Sequence, residues 1–418
     1  MSAVQSTPVS VPAERLSYRD LYERWEQSHW SASTIDLGAD RAEWDALDER
    51  ERRILLWHLG SFVHGESAVA DQLGSFIDAA PRDEQRHFLA TQQADEARHA
   101  VFFCRFIEEV CGVRDPIADT HGSLPYGFRK TFGCLERMHS KLRDDPSPER
   151  LAAGIALYHL VIEATMAQNA LHFLERHLDQ SGRFPGLLEG VGHILSDEQR
   201  HIGFGVRMLY DLSNEHPGAR DAVADELRGV LRYSLGVGVP PGWDLSYPEA
   251  LGYTLEELYE SSTVALKRAL RSAGLADLPG PPPIPRGIEP AAQARIALLL
   301  LRAGVLGEGP VTAEPGDDVL AALFDLIART TDVTRSKGEV IQWSFDDADP
   351  WHLDITPARA TPHRGRAPRA SLTFRCAFAD WADVVARRLS IERALLTRRV
   401  RLRGSPRVLL RLPKLLTT

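Results

Sequence analysis

Six prolines crowd the stretch from Asp277 to Pro290, DLPGPPPIPRGIEP. No helix or central strand tolerates that density, because each proline removes a backbone donor and fixes φ. The stretch reads as a semi-rigid linker, and the patterning differs on its two sides. Before it, apolar residues recur at three- and four-residue spacing over about 45–79, 82–110, 148–178, 184–212 and 219–235. Breaks fall at Pro81, Ser181-Gly182, His216-Pro217-Gly218 and Pro240-Pro241-Gly242. Long helices joined by short turns predict an antiparallel all-α bundle. After the linker, 291–304 and 319–330 look helical. Val340–Phe345, Trp351–Ile355 and Leu372–Phe378 alternate every second residue, as half-buried strands do. A helix over 380–396, a strand over 399–403 and a closing helix over 408–416 complete a small α+β domain. The expected division is 1–40 as an N-terminal extension, 41–276 as the bundle, 277–290 as the linker and 291–418 as the second domain.

Charge follows the same division. From Pro357 to the end there are 15 Lys and Arg against 3 Asp and Glu, a net of +12, which leaves −21 on the rest of a chain whose total is −9. A basic tail can attract nucleic acid, anionic lipid or an acidic neighbour, and charge alone does not choose. The most apolar run, Ala294–Leu306, is interrupted by Arg302 and Gly304, so no transmembrane segment is expected. The first residues lack a basic and an apolar region, so no secretory signal is expected. Four cysteines, 104, 111, 134 and 376, without CxxC spacing, fit a reduced, cytoplasmic protein.

One pentapeptide, Asp-Glu-x-Arg-His, occurs three times, at 83–87, 95–99 and 197–201. Glu and His three apart share a helix face and can grip one ion. Alone, such a pair is usually solvated surface. Its company decides the matter. A di-metal carboxylate bundle needs two Glu-x-x-His pairs and one Glu from each of two further helices, all at one depth. Glu66 and Glu163 stand in strongly apolar helical stretches, where an unpaired carboxylate is costly. Glu66 lies 15 residues before Pro81 and Glu96 lies 15 after it, so both are about 22 Å from the turn. Glu163 and Glu198 flank Ser181-Gly182 almost as symmetrically. The predicted ligand set is Glu66, Glu96, His99, Glu163, Glu198 and His201. Glu84 and His87 stand too near Pro81, and about 120° around the helix from Glu96 and His99, so they read as a helix-start and surface feature. Four carboxylates and two imidazoles carry −4, enough to neutralise two divalent ions, and oxygen and imidazole donors without thiolate suit Fe or Mn. Asp95 and Asp197, one turn before each His, either accept a ligand histidine's free N–H or pair with Arg98 and Arg200; Asp197, in the more apolar setting, is the better candidate for the first role.

The order Glu66, Glu96-x-x-His99, Glu163, Glu198-x-x-His201 resembles the ribonucleotide reductase small-subunit branch of the ferritin-like superfamily, over roughly residues 40–240. Reductase subunits carry a radical-storing Tyr one turn after the first His; Phe103 holds that place, and a folded domain follows where a docking tail would be. Ile194 stands where the related arylamine N-oxygenases have a further His. The chain is instead similar to the ligand-binding oxidases of this branch, which have a Val three residues after the first Glu and a Tyr five before the third, here Val69 and Tyr158. That resemblance implies a site that activates O2 and joins the Val Cβ to the Tyr oxygen as an ether. It implies Mn at Glu66, Glu96 and His99, Fe at Glu163, Glu198 and His201, one of each per chain with two Fe as the alternative, and a long-chain fatty acid capping the metals. A homodimer, an electron donor of unknown identity and no nucleic-acid partner are expected. The segments ASLTFRCAFADWADVV and IERALLTRRVRLRGSPRVLLRLPKLL resemble the sterol-carrier-protein family, with departures at Arg398 and Gly404-Ser405; the resemblance implies a lipid-binding domain, with a packing or dimerisation module as its rival. The expected function is a Mn/Fe oxidase acting on a fatty-acid or hydrocarbon substrate. Its competitors are a radical-generating reductase subunit, recognised by a tyrosyl signal, and a lipid carrier without catalysis.

Overall fold

The computed structural model describes residues 17–278, 284, 287–308 and 316–416. The first sixteen residues of the expected extension and most of the proline-rich stretch lie outside the described residues. The chain forms two compact units, the second beginning after Pro279 and also taking in the short segments Pro125–Gly127 and Leu235–Leu245.

The first unit is a helical bundle. Its helices are α1 (Tyr18–Gln27), α2 (Gly38–Ala46), α3 (Glu49–Ala79), α4 (Asp83–Glu109), α5 (Pro116–His121), α6 (Tyr126–Asp144), α7 (Pro148–Ser181), α8 (Pro185–Glu215), α9 (Ala219–Ser234) and α10 (Leu255–Ser272). Local chemistry explains the long ones. A reciprocal capping box between Asp48 and Glu51 starts α3, and Pro81 ends the chain's run before α4. Gly182 closes α7 in the left-handed conformation, φ 65°, and Pro185 opens the first turn of α8. Helix α7 is π-helical from Ala156 to Ala167, a widened geometry concentrated at functional positions in helices. It is also long and apolar enough to cross a membrane by length and composition, but 78 % of its most apolar window is buried inside the protein. Core packing accounts for that apolarity, and the helix to weigh for membrane crossing is α7 rather than the run Ala294–Leu306 that the sequence analysis singles out as most apolar.

Two apolar clusters stack along the bundle. One contains Val69, Phe76, Phe88, Tyr158 and Phe204, the other Val63, Phe102, Phe103, Leu171, Val191 and Ile194. Along α3, α4 and α8 the carboxylate residues fall in the gap between these clusters. Helix α8 approaches its neighbours closely through two glycines. A Cβ at Gly190 would meet the Phe102 ring at 2.0 Å, and one at Gly205 would meet His159 at 2.2 Å.

The second unit contains α11 (Pro290–Arg302), α12 (Asp317–Thr330), α13 (Phe378–Val385), α14 (Ile391–Leu396) and α15 (Pro406–Leu415). Its strands are β1 (Glu339–Phe345), β2 (Trp351–Ile355), β3 (Ala360–Arg364), β4 (Leu372–Cys376) and β5 (Arg401–Gly404). The sheet order is β3-β2-β1-β4-β5, with β1 and β4 parallel and the other pairs antiparallel. Strand β3 escapes the sequence pattern because Pro362 sits in it, which an edge strand permits. The single helix expected over 380–396 is two helices, since Arg387 turns to φ 59° and Ser390 caps a new start.

Candidate metal centre

At the gap between the two apolar clusters, six chemically active side chains from four helices come together, Glu163 reaching it from within the first cluster. Glu66 comes from α3, Glu96 and His99 from α4, Glu163 from the π-helical part of α7, and Glu198 and His201 from α8. All are at most 4 % exposed. His99 Nδ1 lies 3.5 Å from Glu66 Oε2, 3.6 Å from Glu96 Oε2 and 3.6 Å from Glu198 Oε1. His201 Nδ1 lies 3.2 Å from Glu96 Oε1, 3.9 Å from Glu163 Oε1 and 4.0 Å from Glu198 Oε1. Two overlapping donor groups result, Glu66–Glu96–His99–Glu198 and Glu96–Glu163–His201, each with its donor atoms within 4.8 Å of one another. The sequence reading divides Glu96 and Glu198 between two separate threes. In the folded protein Glu96 turns one oxygen to each histidine, and Glu198 Oε1 faces both.

The chemistry of the donors fits a pair of cations. Nδ1 of both histidines, Oε2 of Glu163 and Oε2 of Glu198 are buried without a hydrogen-bond partner among the described residues, and buried polar atoms are rarely left so. Burial pushes the carboxyls of Glu66 and Glu163 well up, helped by Glu96 beside the first and Glu198 beside the second. Burial and the neighbouring Glu96 push Glu198 up to about 7. Burial opposes charge on the histidines too, yet Asp197 and Glu66 raise His99, while Glu96 and Asp95 raise His201. Against its own burial, Glu96 is held low by His201. Four buried carboxylates recruit whatever positive charge is at hand, and divalent ions would satisfy them all at once.

The outer shell fixes the imidazoles. His99 Nε2 lies 3.1 Å from Asp197 Oδ2, and His201 Nε2 lies 3.1 Å from Asp95 Oδ2. With Nε2–H donating outward, each Nδ1 lone pair is aimed into the centre. The pairing is crossed: each Asp takes the N–H of a ligand histidine, as expected, and that histidine stands on the facing helix. An Asp one turn below a His lies beside it, whereas the Asp of the facing helix lies behind its ring. The alternative role holds at the same time. Arg200 donates to Asp197 at 2.5 Å and to Asp95 at 3.2 Å, and Arg98 bridges the same two carboxylates. Two tryptophans finish the arrangement: Trp25 Nε1 donates to Asp95 at 2.9 Å and Trp30 Nε1 to Asp197 at 2.8 Å. Against its burial, the His99 N–H and Arg200 hold Asp197 far below the usual carboxylate range.

Val69 and Tyr158 are both buried in one apolar cluster. The Tyr158 hydroxyl donates to Glu96 Oε1 at 2.7 Å and accepts from Gln92 Nε2 at 2.8 Å. Gln92 also donates to Glu163 Oε1 at 2.6 Å, and its own oxygen lies 3.1 Å from His159 Nε2. Burial holds the His159 ring down to about 3, so it stays neutral and donates. Sequence reasoning missed Gln92, although it lies one turn before Glu96 on the same face. It also missed Trp25 and Trp30, which sit in the stretch set apart as an extension. Glu84 and His87 are exposed, as expected. Phe103 is fully buried against Phe62, ring centroids 5.0 Å apart. Ile194 is fully buried too.

A family model described as ribonucleotide reductase, small chain, matches residues 9–232. The chain belongs to that family. The SCP-2 sterol transfer family model matches residues 321–417, so the expected second module is present as well. Among solved structures, the R2-like ligand-binding oxidase from Sulfolobus acidocaldarius is 25 % identical, with a TM-score of 0.51 over 61 % of this chain and 90 % of that one. A variant R2-like ligand-binding oxidase with an anaerobically reconstituted Mn/Fe cofactor shares the fold at 23 % identity and a TM-score of 0.53, over 65 % of this chain and 98 % of that one. The family's ferritin-like body, with its carboxylate and histidine cluster, and a small sheet domain after it are therefore both as the sequence reading expects.

Proposed function

We propose that the protein is an O2-dependent dinuclear metal oxidase of the ligand-binding type. Glu66, Glu96 and His99 would hold one ion and Glu163, Glu198 and His201 the other, with Glu96 and Glu198 shared; Mn in the first place and Fe in the second follow the oxidase resemblance. The observation that carries the reading is the convergence of two buried imidazole nitrogens, without a hydrogen-bond partner among the described residues, on a layer of four carboxylates. When bound, the metal pair supplies the reducing electrons for O2 and the oxidising power for C–H cleavage.

The remaining work falls to the chain. Asp95 and Asp197 hold both rings by their Nε2–H groups, so neither imidazole can turn its lone pair away. Phe76, Phe88, Phe102 and Phe204, all at most 1 % exposed, keep water from the layer. Gln92 holds the Tyr158 oxygen, and Glu96 Oε1, 2.7 Å away, accepts the phenolic proton. Closing a Val69–Tyr158 ether removes one hydrogen from the Val69 Cβ and one from the phenol, two electrons and two protons in all, with O2 as acceptor. The matched SCP-2 module and the oxidase resemblance both favour a lipid or fatty-acid substrate.

Peptide mass spectrometry after aerobic loading with Mn and Fe tests this reading. The Val69 and Tyr158 peptides should join with loss of two hydrogens, and metal analysis should give one ion of each kind per chain. A tyrosyl radical signal without the crosslink would favour a reductase subunit instead. Metal-free protein with Glu66 intact would end both readings.

A further inference from the structure

From Pro357 on, the chain carries 15 Lys and Arg against 3 Asp and Glu, and internal ion pairs use only part of that charge. Arg388 and Arg399 take Asp383 and Asp380, while Arg364, Arg375 and Arg411 pair with Asp349, Asp346 and Glu339. Arg393, Arg398, Arg401, Arg403 and Arg407 are exposed, and none has a carboxylate partner among the described residues. All five lie on or beside β5, the edge strand of the sheet. Arg401 and Arg403 alternate with Leu402, the direct partner of buried Phe374, so they stand on the outer face of the sheet. Helix α14 ends just before β5, where the Val400 N–H meets the Ala394 carbonyl at 3.1 Å. Helix α15 begins just after it, where the Ser405 N–H meets the Ser371 carbonyl at 2.9 Å.

The same edge carries the two most exposed large apolar side chains among the described residues, Leu396 of α14 at 85 % and Leu410 of α15 at 79 %. Along α15, Arg407, Leu410 and Lys414 are three and four residues apart and share its exposed face. A single exposed leucine needs no explanation. Two of them, at either end of a strand about 13 Å long and interspersed with unpaired arginines, describe a surface suited to anionic groups above an apolar layer. A bilayer carrying anionic phospholipid has that make-up, and because it is a plane it asks for no convergence on one atom. Nucleic acid would take the charge but leave the leucines in water. It would also find no ring to stack on, since every aromatic side chain after Pro290 is at most 8 % exposed. We propose that the segment from Arg393 to Lys414 is a docking surface for an anionic bilayer, its arginines meeting phosphates and Leu396 and Leu410 entering the apolar layer below them. The proposal concerns the outside of the second unit and rests on neither the metal centre nor a ligand inside the sheet domain.

Sedimentation of the full chain with vesicles tests this. Vesicles of phosphatidylcholine mixed with phosphatidylserine should carry the protein down, and vesicles of phosphatidylcholine alone should not. A chain of net charge −9 is repelled by an anionic surface as a whole, so binding reports a local patch. Replacing Arg401, Arg403 and Arg407 together by Gln should weaken binding about a hundredfold, about fivefold for each charge. Leu396→Ser and Leu410→Ser should each weaken it about tenfold. All five positions are exposed, so Tm and metal content should stay those of the parent chain. No binding to the mixed vesicles, equal binding to both kinds, or binding that the arginine variant keeps overturns the proposal. Binding that both leucine variants keep overturns it too, since charge alone would then be enough. A DNA duplex that binds tighter than the mixed vesicles, with the loss confined to the arginine variant, overturns it in favour of nucleic acid. Metal content and the Val69–Tyr158 crosslink are measured on the same protein, so any of these failures leaves the oxidase reading standing.

Discussion

The same four residue types, in the pattern Asp-Glu-x-Arg-His, open α4 and recur near its middle, and the two copies live in different chemistry. At 83–87 the helix is just beginning. Asp83 and Glu84 sit in its first turn, where the helix dipole favours acids, and Arg86 pairs with Asp83 at 2.7 Å and reaches the Ala80 carbonyl at 3.0 Å. Glu84 and His87 face solvent. At 95–99, three turns on, Asp95, Glu96 and His99 are all at most 1 % exposed. Depth and angle on the bundle, rather than the motif, decide what a Glu-x-x-His pair can do. The largest expected effect therefore belongs to Glu96, which faces both histidines. Glu96→Ala should take metal content from about two ions per chain to well below one, while Glu66→Ala should spare the ion beside His201. Elemental analysis of the two purified variants decides it, and equal losses would mean that Glu96 is not shared.

The crossed outer shell gives the next effect. Asp197→Asn should weaken the ion held by His99, and Asp95→Asn the one held by His201, each by 10- to 100-fold, the usual cost of losing such a partner. Stepwise metal titration followed by the signals of Mn and Fe separates the two sites. If each variant instead weakened the site on its own helix, the crossed geometry would be wrong. A smaller effect follows for Gln92, whose amide holds both the Tyr158 oxygen and Glu163. Gln92→Leu should keep both metals and lower the yield of the Val69–Tyr158 crosslink about tenfold, the equivalent of one or two lost hydrogen bonds. Unchanged yield in fully loaded protein would remove Gln92 from the positioning of the phenol.

The layer of six residues was legible because its signals are local and additive. Helical periodicity sets the face, Pro81 sets the depth, and apolar neighbours mark Glu66 and Glu163 as buried. What stayed hidden depends on which helix stands opposite. The Asp95–His201 and Asp197–His99 pairs join α4 to α8, and no spacing along either helix encodes them. Trp25 and Trp30 are read as part of an extension because α1 is short and strongly polar, although Trp25 on it and Trp30 just after it reach both aspartates. The π-helical stretch of α7 carries no sequence mark beyond an apolar run that an α-helix would show as well. In the second unit, strict alternation placed β1, β2 and β4, while Pro362 hid β3 and the turn at Arg387 hid the division of a helix.

The smallest expected effect is the sharpest use of the comparison between the two copies in α4. Glu84→Gln combined with His87→Gln roughly keeps side-chain size and removes the Glu-x-x-His pair by which that copy could grip an ion. Both positions are exposed, and exposed substitutions away from caps and partners change stability little. Asp83 and Arg86 remain to hold the start of α4. Metal content, crosslink yield and Tm should all match the parent protein, the last within about 2 °C. A fall in metal content would mean that α4 begins its inward face a full three turns earlier than the burial of Glu96 and His99 implies. The four-carboxylate layer would then have to be rebuilt around Glu84.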